Sequence, residues 1–299
     1  QKKELLRGLA QLYRDLEEFE KYLSTVKQLI GLSGTEPALL KDGLDVALHL
    51  WRQEKTNKQK QQDVLLLADL TGDQALIIDF LIWNERYAEV FRMYEEKFQN
   101  ENLSDEELKR IMTIVRWQND RELLKKWLER GVVVFPETEL LKELAVLHFE
   151  DNEYKEAKKL HEMIIEREPE NKTTLEALAY IYQKEGNSRQ AYEYYKRLYT
   201  TTGEVIYLEG MRWSAQQLDT ELHKNALQEL VNVKPTEQNL IDLASLYVYT
   251  TEEYDKAVPI IQEIITKWPN PEYHDLLGYT LCKTGKIYDA GEILENTPP

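Results

Sequence analysis

The sequence predicts an all-α fold in which antiparallel helix pairs stack into a solenoid, and two observations support this. First, a large apolar residue directly precedes a small one at four points, and both the first two and the last two of these are 34 residues apart. Second, another small residue follows each of them 12 or 13 residues later. A fixed period of this kind is typical of stacked helical hairpins, because helices approach closely only where side chains are minimal. The four steps are Leu144-Ala145, Leu178-Ala179, Leu243-Ala244 and Leu277-Gly278, and the later small residues are Ala157, Ala191, Ala257 and Ala290.

Residues 137–299 divide into five such units. Apolar residues in the first recur at helical spacing from Leu141, and Pro169 ends it. The third unit, at about 206–236, is degenerate because Gly210 and Met211 blur the large-small step, although Pro235 closes the unit. The fifth stops at residue 299 before its second helix should be complete. With the start at Gln1, this indicates a fragment of a longer protein.

These residues resemble the tetratricopeptide repeat, whose pattern has a large residue, then Leu and a small residue, Tyr, a second small residue and Pro. The match is strong for residues 138–205 and 237–290 and weak for 206–236. The resemblance implies a right-handed superhelix of about nine helix pairs. It also implies that the first helix of each pair lines the inner face.

Residues 1–136 keep the period and lose the consensus, so we interpret them as degenerate pairs continuous with the array that follows. Ser104, followed by three acidic residues, is typical of a capped helix start. The predicted helices lie near 2–14 and 16–31, 38–53 and 57–70, 73–83 and 85–99, and 105–118 and 120–130.

Charge is unevenly distributed along the chain. The net charge is −16; residues 1–136 contribute −3 and residues 137–299 contribute −13, and 14 of the 18 tyrosines lie in the second part. Nucleic acid needs a partner of the opposite sign, so we exclude that class. A cationic partner is expected to be attracted to the second part. The sequence contains no apolar run long enough to span a membrane.

No arrangement of residues predicts catalysis, a metal site or a cofactor. The five histidines show no metal-binding spacing, and His148 and His161 occupy positions of a packed aromatic pair inside a hairpin. The single cysteine, Cys282, lies on an apolar helix face and is expected to be a buried thiol. The tryptophans are expected to pack in the core or between repeats, with one or two available for stacking on a ligand.

The resemblance implies a set of partner-binding residues on the inner face. A C-terminal carboxylate clamp, known in one subset of the family, is not expected, because Lys142 fits it but Val146 and Ala177 replace its two asparagines. The inner-face set is Glu139, Lys142, Glu150, Thr173, Glu176, Tyr180, Gln183, Lys184, Glu272, Asp275, Tyr279 and Lys283.

We therefore predict a non-enzymatic scaffold that binds protein partners, a basic segment among them, along its inner face. The alternative is a periplasmic scaffold of bacterial exopolysaccharide export that binds partner enzymes or a cationic polysaccharide. The front half, at residues 48–52 and 67–73, is similar to the scaffold of Pel-type export proteins. If the chain is an export scaffold, we expect it in the periplasm; if it is a general protein-binding scaffold, we expect it in the cytoplasm. An enzyme is the third and least favoured alternative.

Overall fold

The computed structural model describes residues 1–33, 36–100 and 103–295, and over these ranges the chain is all-helical with no strand. The described residues form eighteen helices, and helices that follow one another in the chain pack together within residues 1–120 and within residues 121–295, which confirms the predicted all-α fold of stacked helices. None of the helices found there is both long and apolar enough to cross a bilayer. The helices are α1 (Lys2–Asp15), α2 (Phe19–Ser33), α3 (Pro37–Gln53), α4 (Lys58–Thr71), α5 (Gln74–Trp83), α6 (Tyr87–Asn100), α7 (Asp105–Gln118), α8 (Arg121–Val134), α9 (Thr138–Glu150), α10 (Tyr154–Arg167), α11 (Lys172–Lys184), α12 (Ser188–Thr202), α13 (Val205–Gln216), α14 (Thr220–Val233), α15 (Glu237–Tyr249), α16 (Tyr254–Lys267), α17 (Pro271–Lys283) and α18 (Ile287–Glu295).

The chain forms two compact units, Gln1–Asp120 and Arg121–Pro299. The core of the first unit runs through α1–α5 and includes the fully buried Val26, Leu67 and Phe80. The second unit begins at α8, which packs on α9. The sequence-based division into residues 1–136 and 137–299 reflects how well each part matches the repeat consensus, not which residues form a compact unit. It stays a prediction.

The small residues lie at helix contacts, as their spacing predicts. Ala145, Ala179 and Ala244 are completely buried, and so are Ala157, Ala191 and Ala257 on the second helices. A Cβ added at Gly278 would come within 2.9 Å of Leu294, so the contact between α17 and α18 leaves no room for a side chain. Close packing at these points holds each pair together.

The third pair, α13 and α14, departs from this arrangement. Leu208 and Met211 are buried like Leu175 and Leu178 one repeat earlier, and Trp213 is exposed like Tyr180. By this register, Arg212 occupies the position of the small residue on α13.

On α14 the corresponding small position falls on His223. It is the fourth residue of α14, as Ala157, Ala191, Ala257 and Ala290 are the fourth residues of their helices. The small positions of the third pair therefore fall on Arg212 and His223. In this pair an arginine and a histidine stand where the other pairs have small residues.

Helix starts follow the local sequence signals. Ser104 accepts a hydrogen bond from the backbone N–H of Glu107, and the Glu107 carboxylate accepts one in return from the Ser104 backbone, so the predicted cap is a full capping box. Asn57 caps α4 by accepting from the backbone N–H groups of Gln59 and Lys60. Such caps satisfy backbone donors that a helix cannot pair internally.

Candidate binding groove

The first helices of three successive pairs, α9, α11 and α13, line a groove of about 780 Å³ in the second unit. We call it the acidic groove. Its walls come from the first helices, and two side chains of the second helices, His161 and Tyr195, also reach it. The lining is Val146, Phe149, Glu150, His161, Thr173, Glu176, Ala177, Tyr180, Gln183, Tyr195, Ile206, Tyr207, Glu209, Gly210 and Trp213.

A glycine shapes the floor of the acidic groove. A Cβ built on Gly210 would lie 2.7 Å from a ring carbon of Tyr195, so only glycine lets this ring lie against α13. The Tyr195 hydroxyl then donates to the Gln183 side-chain oxygen at 2.8 Å, which ties α12 to α11. The floor is therefore an aromatic ring held in place by a backbone contact and a hydrogen bond.

Large apolar side chains remain exposed along the groove. Ile206 and Trp213 on α13 are 64% and 55% exposed, and Val146 on α9 and Tyr180 on α11 are also open to solvent. They share one groove rather than being scattered over the surface. Contiguous apolar patches of this kind mark interaction sites, whereas isolated ones need no explanation.

The lining carries three carboxylates and no lysine or arginine. Glu150 pairs with Arg121 at 2.8 Å, and Glu209 pairs with Lys234 at 2.8 Å, and both pairs are solvent-exposed. Glu176 accepts a hydrogen bond from the Tyr207 hydroxyl, and no ion pair to it is found over residues 1–33, 36–100 and 103–295. Exposed ion pairs contribute about 0–1 kcal/mol, so these charges stay available to a ligand.

Three aromatic rings close one end of the acidic groove. The ring centroids of Phe149, Tyr154 and Tyr180 lie 5.5 to 5.9 Å from one another, so the rings form a packed cluster. The Lys184 ammonium lies 5.3 Å from the Tyr180 ring centroid. This contact places Lys184 over one side of the ring and leaves the rest of Tyr180 facing the groove.

Two buried histidines lie in the first pair of the array. His161 is nearly inaccessible, burial lowers its pKa to about 4, and its Nδ1 has no partner among the described residues. His148 is also buried, and its Nδ1 lies 2.5 Å from the Glu153 carboxylate. Both side chains act as packed core residues, the structural role that the sequence predicts for them.

A second groove of about 590 Å³ lies between α13 and α15, and we call it the arginine groove. It shares Trp213 with the acidic groove, and the Arg212 guanidinium lies 4.7 Å from the Trp213 ring centroid. Arg212 Nη1 donates to Asp242 at 3.2 Å, and the Gln238 amide donates to the same carboxylate at 2.7 Å. Its lining is Arg212, Trp213, Gln216, His223, Gln238, Asp242, Ser245, Leu246, Tyr249 and Thr250.

The structure brings five of the predicted partner-binding residues together in the acidic groove. These are Glu150, Thr173, Glu176, Tyr180 and Gln183. The other predicted residues are not part of the lining, although Lys184 lies over the Tyr180 ring at its edge, and a role for any member of the set stays a prediction.

Two of the residues outside the lining, Glu139 and Lys142, form an ion pair, and Lys142 also reaches Glu168. On α17, Tyr279 stacks on Tyr249 with ring centroids 6.1 Å apart, and Lys283 lies over the Tyr279 ring. Glu272 and Asp275 are exposed on the same helix.

Sequence reasoning missed the contribution of α13 and α15. The lining from α13 includes Ile206, Glu209 and Trp213, but the third unit matches the repeat pattern too weakly for positions to be transferred. These residues could have been found from the position of Trp213, which lies on the exposed face of α13 where Tyr180 lies on α11 one repeat earlier.

Two burial predictions were wrong. Cys282 is exposed, because the buried face of α17 ends at Thr280 and Leu281 and the next residue points away from it. Trp83, Trp117 and Trp213 are exposed, although Trp51 and Trp127 are buried as expected. Near a helix end, a residue on the packed face can be followed directly by one that points to solvent.

Comparison with known protein families supports the resemblance to the tetratricopeptide repeat. Residues 174–205, within α11–α13, match the model of the tetratricopeptide repeat, which confirms the predicted resemblance. The chain therefore contains a tetratricopeptide repeat within its stack of helix pairs. No curated protein sequence matches the chain.

Several solved structures are similar to about half of the chain. A crystal structure of MamA is 17% identical, with a TM-score of 0.40 over 53% of this chain and 88% of that one. YrrB, described as a TPR protein with an unusual peptide-binding site, is 13% identical, with a TM-score of 0.41 over 56% of this chain and 89% of that one.

Proposed function

We propose that this chain is a non-enzymatic scaffold that binds a protein partner in the acidic groove. The observation that carries the proposal is the lining itself. Exposed apolar side chains from three successive helix pairs meet in one groove, beside three carboxylates and no cationic side chain. Such a surface suits a polypeptide segment that carries lysine or arginine between apolar residues.

The two kinds of contact have different tasks. The carboxylates attract a basic segment and orient it, and this attraction weakens as salt shortens the screening length from about 10 Å at 0.1 M to about 3 Å at 1 M. Tyr180, Ile206 and Trp213 then contribute apolar area that salt does not screen. We infer an affinity that falls with salt but does not vanish.

A calorimetric titration with a basic, apolar peptide tests the proposal. We expect binding at low salt that Glu176→Lys and Tyr180→Ala each weaken at least tenfold. Glu166→Lys is the matched control, because Glu166 is an exposed carboxylate on α10 outside the groove. If the control weakens binding as much as Glu176→Lys, net charge alone attracts the peptide and the groove is not the site.

The second candidate is the export scaffold with a cationic polysaccharide as ligand. One observation favours it: exposed aromatic side chains recur along the first helices, at Tyr180, Trp213, Tyr249 and Tyr279. Aromatic faces of this kind stack on sugar rings. Titration with deacetylated glucosamine oligomers under the same conditions separates the two candidates, because binding of the oligomers without the peptide favours export.

A further inference from the structure

The third helix pair contains a feature that the protein-binding proposal does not use. At the two positions where the other pairs of the array carry alanine or glycine, α13 carries Arg212 and α14 carries His223. Both side chains line the arginine groove. This pair keeps its helices packed together, but at both positions it presents a hydrogen-bonding side chain to the groove instead of a small apolar one.

Two nitrogen atoms in this cavity have no partner. Arg212 Nε and His223 Nε2 are shielded from water, and neither hydrogen-bonds to any residue within 1–33, 36–100 or 103–295. Buried polar groups in native proteins are normally paired, and each exception calls for an explanation. Here two exceptions lie on neighbouring helices, in residues that both line the arginine groove.

The geometry of the Arg212 guanidinium shows which kind of group could accept hydrogen bonds from these nitrogen atoms. Asp242 accepts from Nη1 alone, at 3.2 Å, so the edge of the guanidinium that carries Nε–H is not engaged. That edge presents two parallel N–H donors and fits a carboxylate, which accepts through both oxygens. Imidazole beside it supplies a further donor, and it becomes a stronger one when protonated.

The charged groups around His223 have both signs. Its pKa is lowered by burial first and by the Arg212 charge second, while Asp242 on α15 acts in the opposite direction. The other lining groups from α13 and α15 include the side chains of Gln216, Gln238 and Ser245, which are polar and uncharged. An incoming carboxylate would add negative charge next to the ring, so it would draw a proton onto His223.

We propose that the arginine groove is a carboxylate-binding site, with Arg212 and His223 as its donors. The bound group is a carboxylate, either the side chain of an Asp or Glu in a partner or a free chain end. The site is distinct from the acidic groove because the two take opposite charges, and Trp213 stands between them. A partner that used both would carry a basic residue and then an acidic one, and would bind in only one direction.

The test is an NMR titration of the intact chain with acetate, against chloride at equal ionic strength. We expect acetate to shift the Trp213 indole N–H resonance and the His223 ring resonance, and to raise the His223 pKa. The response should weaken at least tenfold in Arg212→Gln. The second variant, His223→Asn, should also weaken it, and the Trp213 resonance reports on whether each variant stays folded.

Two peptides distinguish the sources of the carboxylate. One has an internal Glu and capped ends, and the other has a free C-terminus as its single carboxylate. Whichever shifts the same resonances at lower concentration identifies the source. An acetate response equal to that of chloride, or one that survives Arg212→Gln in a folded protein, would overturn the proposal. Neither outcome bears on the acidic groove, which is tested with a cationic ligand.

Discussion

The second and third helix pairs of the array are neighbours built on the same plan, and they differ at the points where their helices meet. In α11–α12, Ala179 and Ala191 are completely buried and the helices close on each other. In α13–α14, Arg212 and His223 take those positions, and a groove of about 590 Å³ lies beside them. The comparison indicates that the consensus residues of a repeat provide close packing, whereas departures from the consensus place polar side chains beside a groove.

The first prediction compares the buried histidines of the first and third pairs. Burial lowers the pKa of His161 to about 4, whereas the unfolded value is near 6.5. Between those values the unfolded chain binds more protons, so the stability contributed by neutral His161 is complete above pH 6.5 and is lost as the pH falls towards 4. The loss amounts to about 3 kcal/mol.

Urea unfolding between pH 7 and pH 4 measures this loss. His161→Leu should flatten the pH dependence of the free energy of unfolding. His223 should contribute less, because burial is the largest cause of the lowered pKa in both histidines and His223 is less buried than His161. An equal slope in wild type and His161→Leu would show that His161 is not held neutral.

The second prediction concerns close packing in the consensus pair. Ala179→Leu inserts a large side chain where none fits, and we expect a loss of about 1–3 kcal/mol in the free energy of unfolding. Ala88→Leu adds the same atoms at an exposed position of α6 and should stay within about 0.5 kcal/mol. An unchanged melting temperature for Ala179→Leu would contradict the assignment of Ala179 to a helix contact.

The third prediction concerns the glycine under Tyr195. Alanine is the better helix former, and at Gly31, where nothing lies within 4 Å of an added Cβ, Gly→Ala should stabilise the protein by about 0.5–1 kcal/mol. At Gly210 the same change should have the opposite sign and cost about 1 kcal/mol, because the Tyr195 ring must move.

A double-mutant cycle isolates this contact. In a Tyr195→Ala background the cost of Gly210→Ala should disappear, since the ring that it meets is gone. If Gly210→Ala stabilised the protein as much as Gly31→Ala does, the close approach of Tyr195 to α13 would be wrong.

The sequence predicted most of the fold because helix packing follows local residue size. The four large-small steps located the contacts at Ala145, Ala179, Ala244 and Gly278, and the period alone located the helix pairs of residues 1–136. The candidate site was predicted in part, with five lining residues named from α9 and α11. These lie in repeats that match the consensus, so their positions transfer directly.

The lining residues from α13 could not be predicted. They depend on which face of the helix is buried, and α13 lacks the consensus residues that would show this. Gly210 and Met211 looked like the degenerate step, whereas burial shows that the small position falls on Arg212. A shift of one residue turns a helix position by about 100°, which is enough to exchange core for groove. Pairing also decides which charges remain available, and it joins residues such as Glu209 and Lys234 that belong to different helices.

Native-state hydrogen exchange tests most directly whether Arg212 and His223 serve binding at the expense of local stability. In chloride, we predict that amides of α13–α14 open more readily than those of α11–α12, because the third pair lacks the small-residue contact. In acetate at equal ionic strength, exchange should slow in α13–α14, and α11–α12 should be unchanged. Equal protection of the two pairs, together with no response to acetate, would contradict the account.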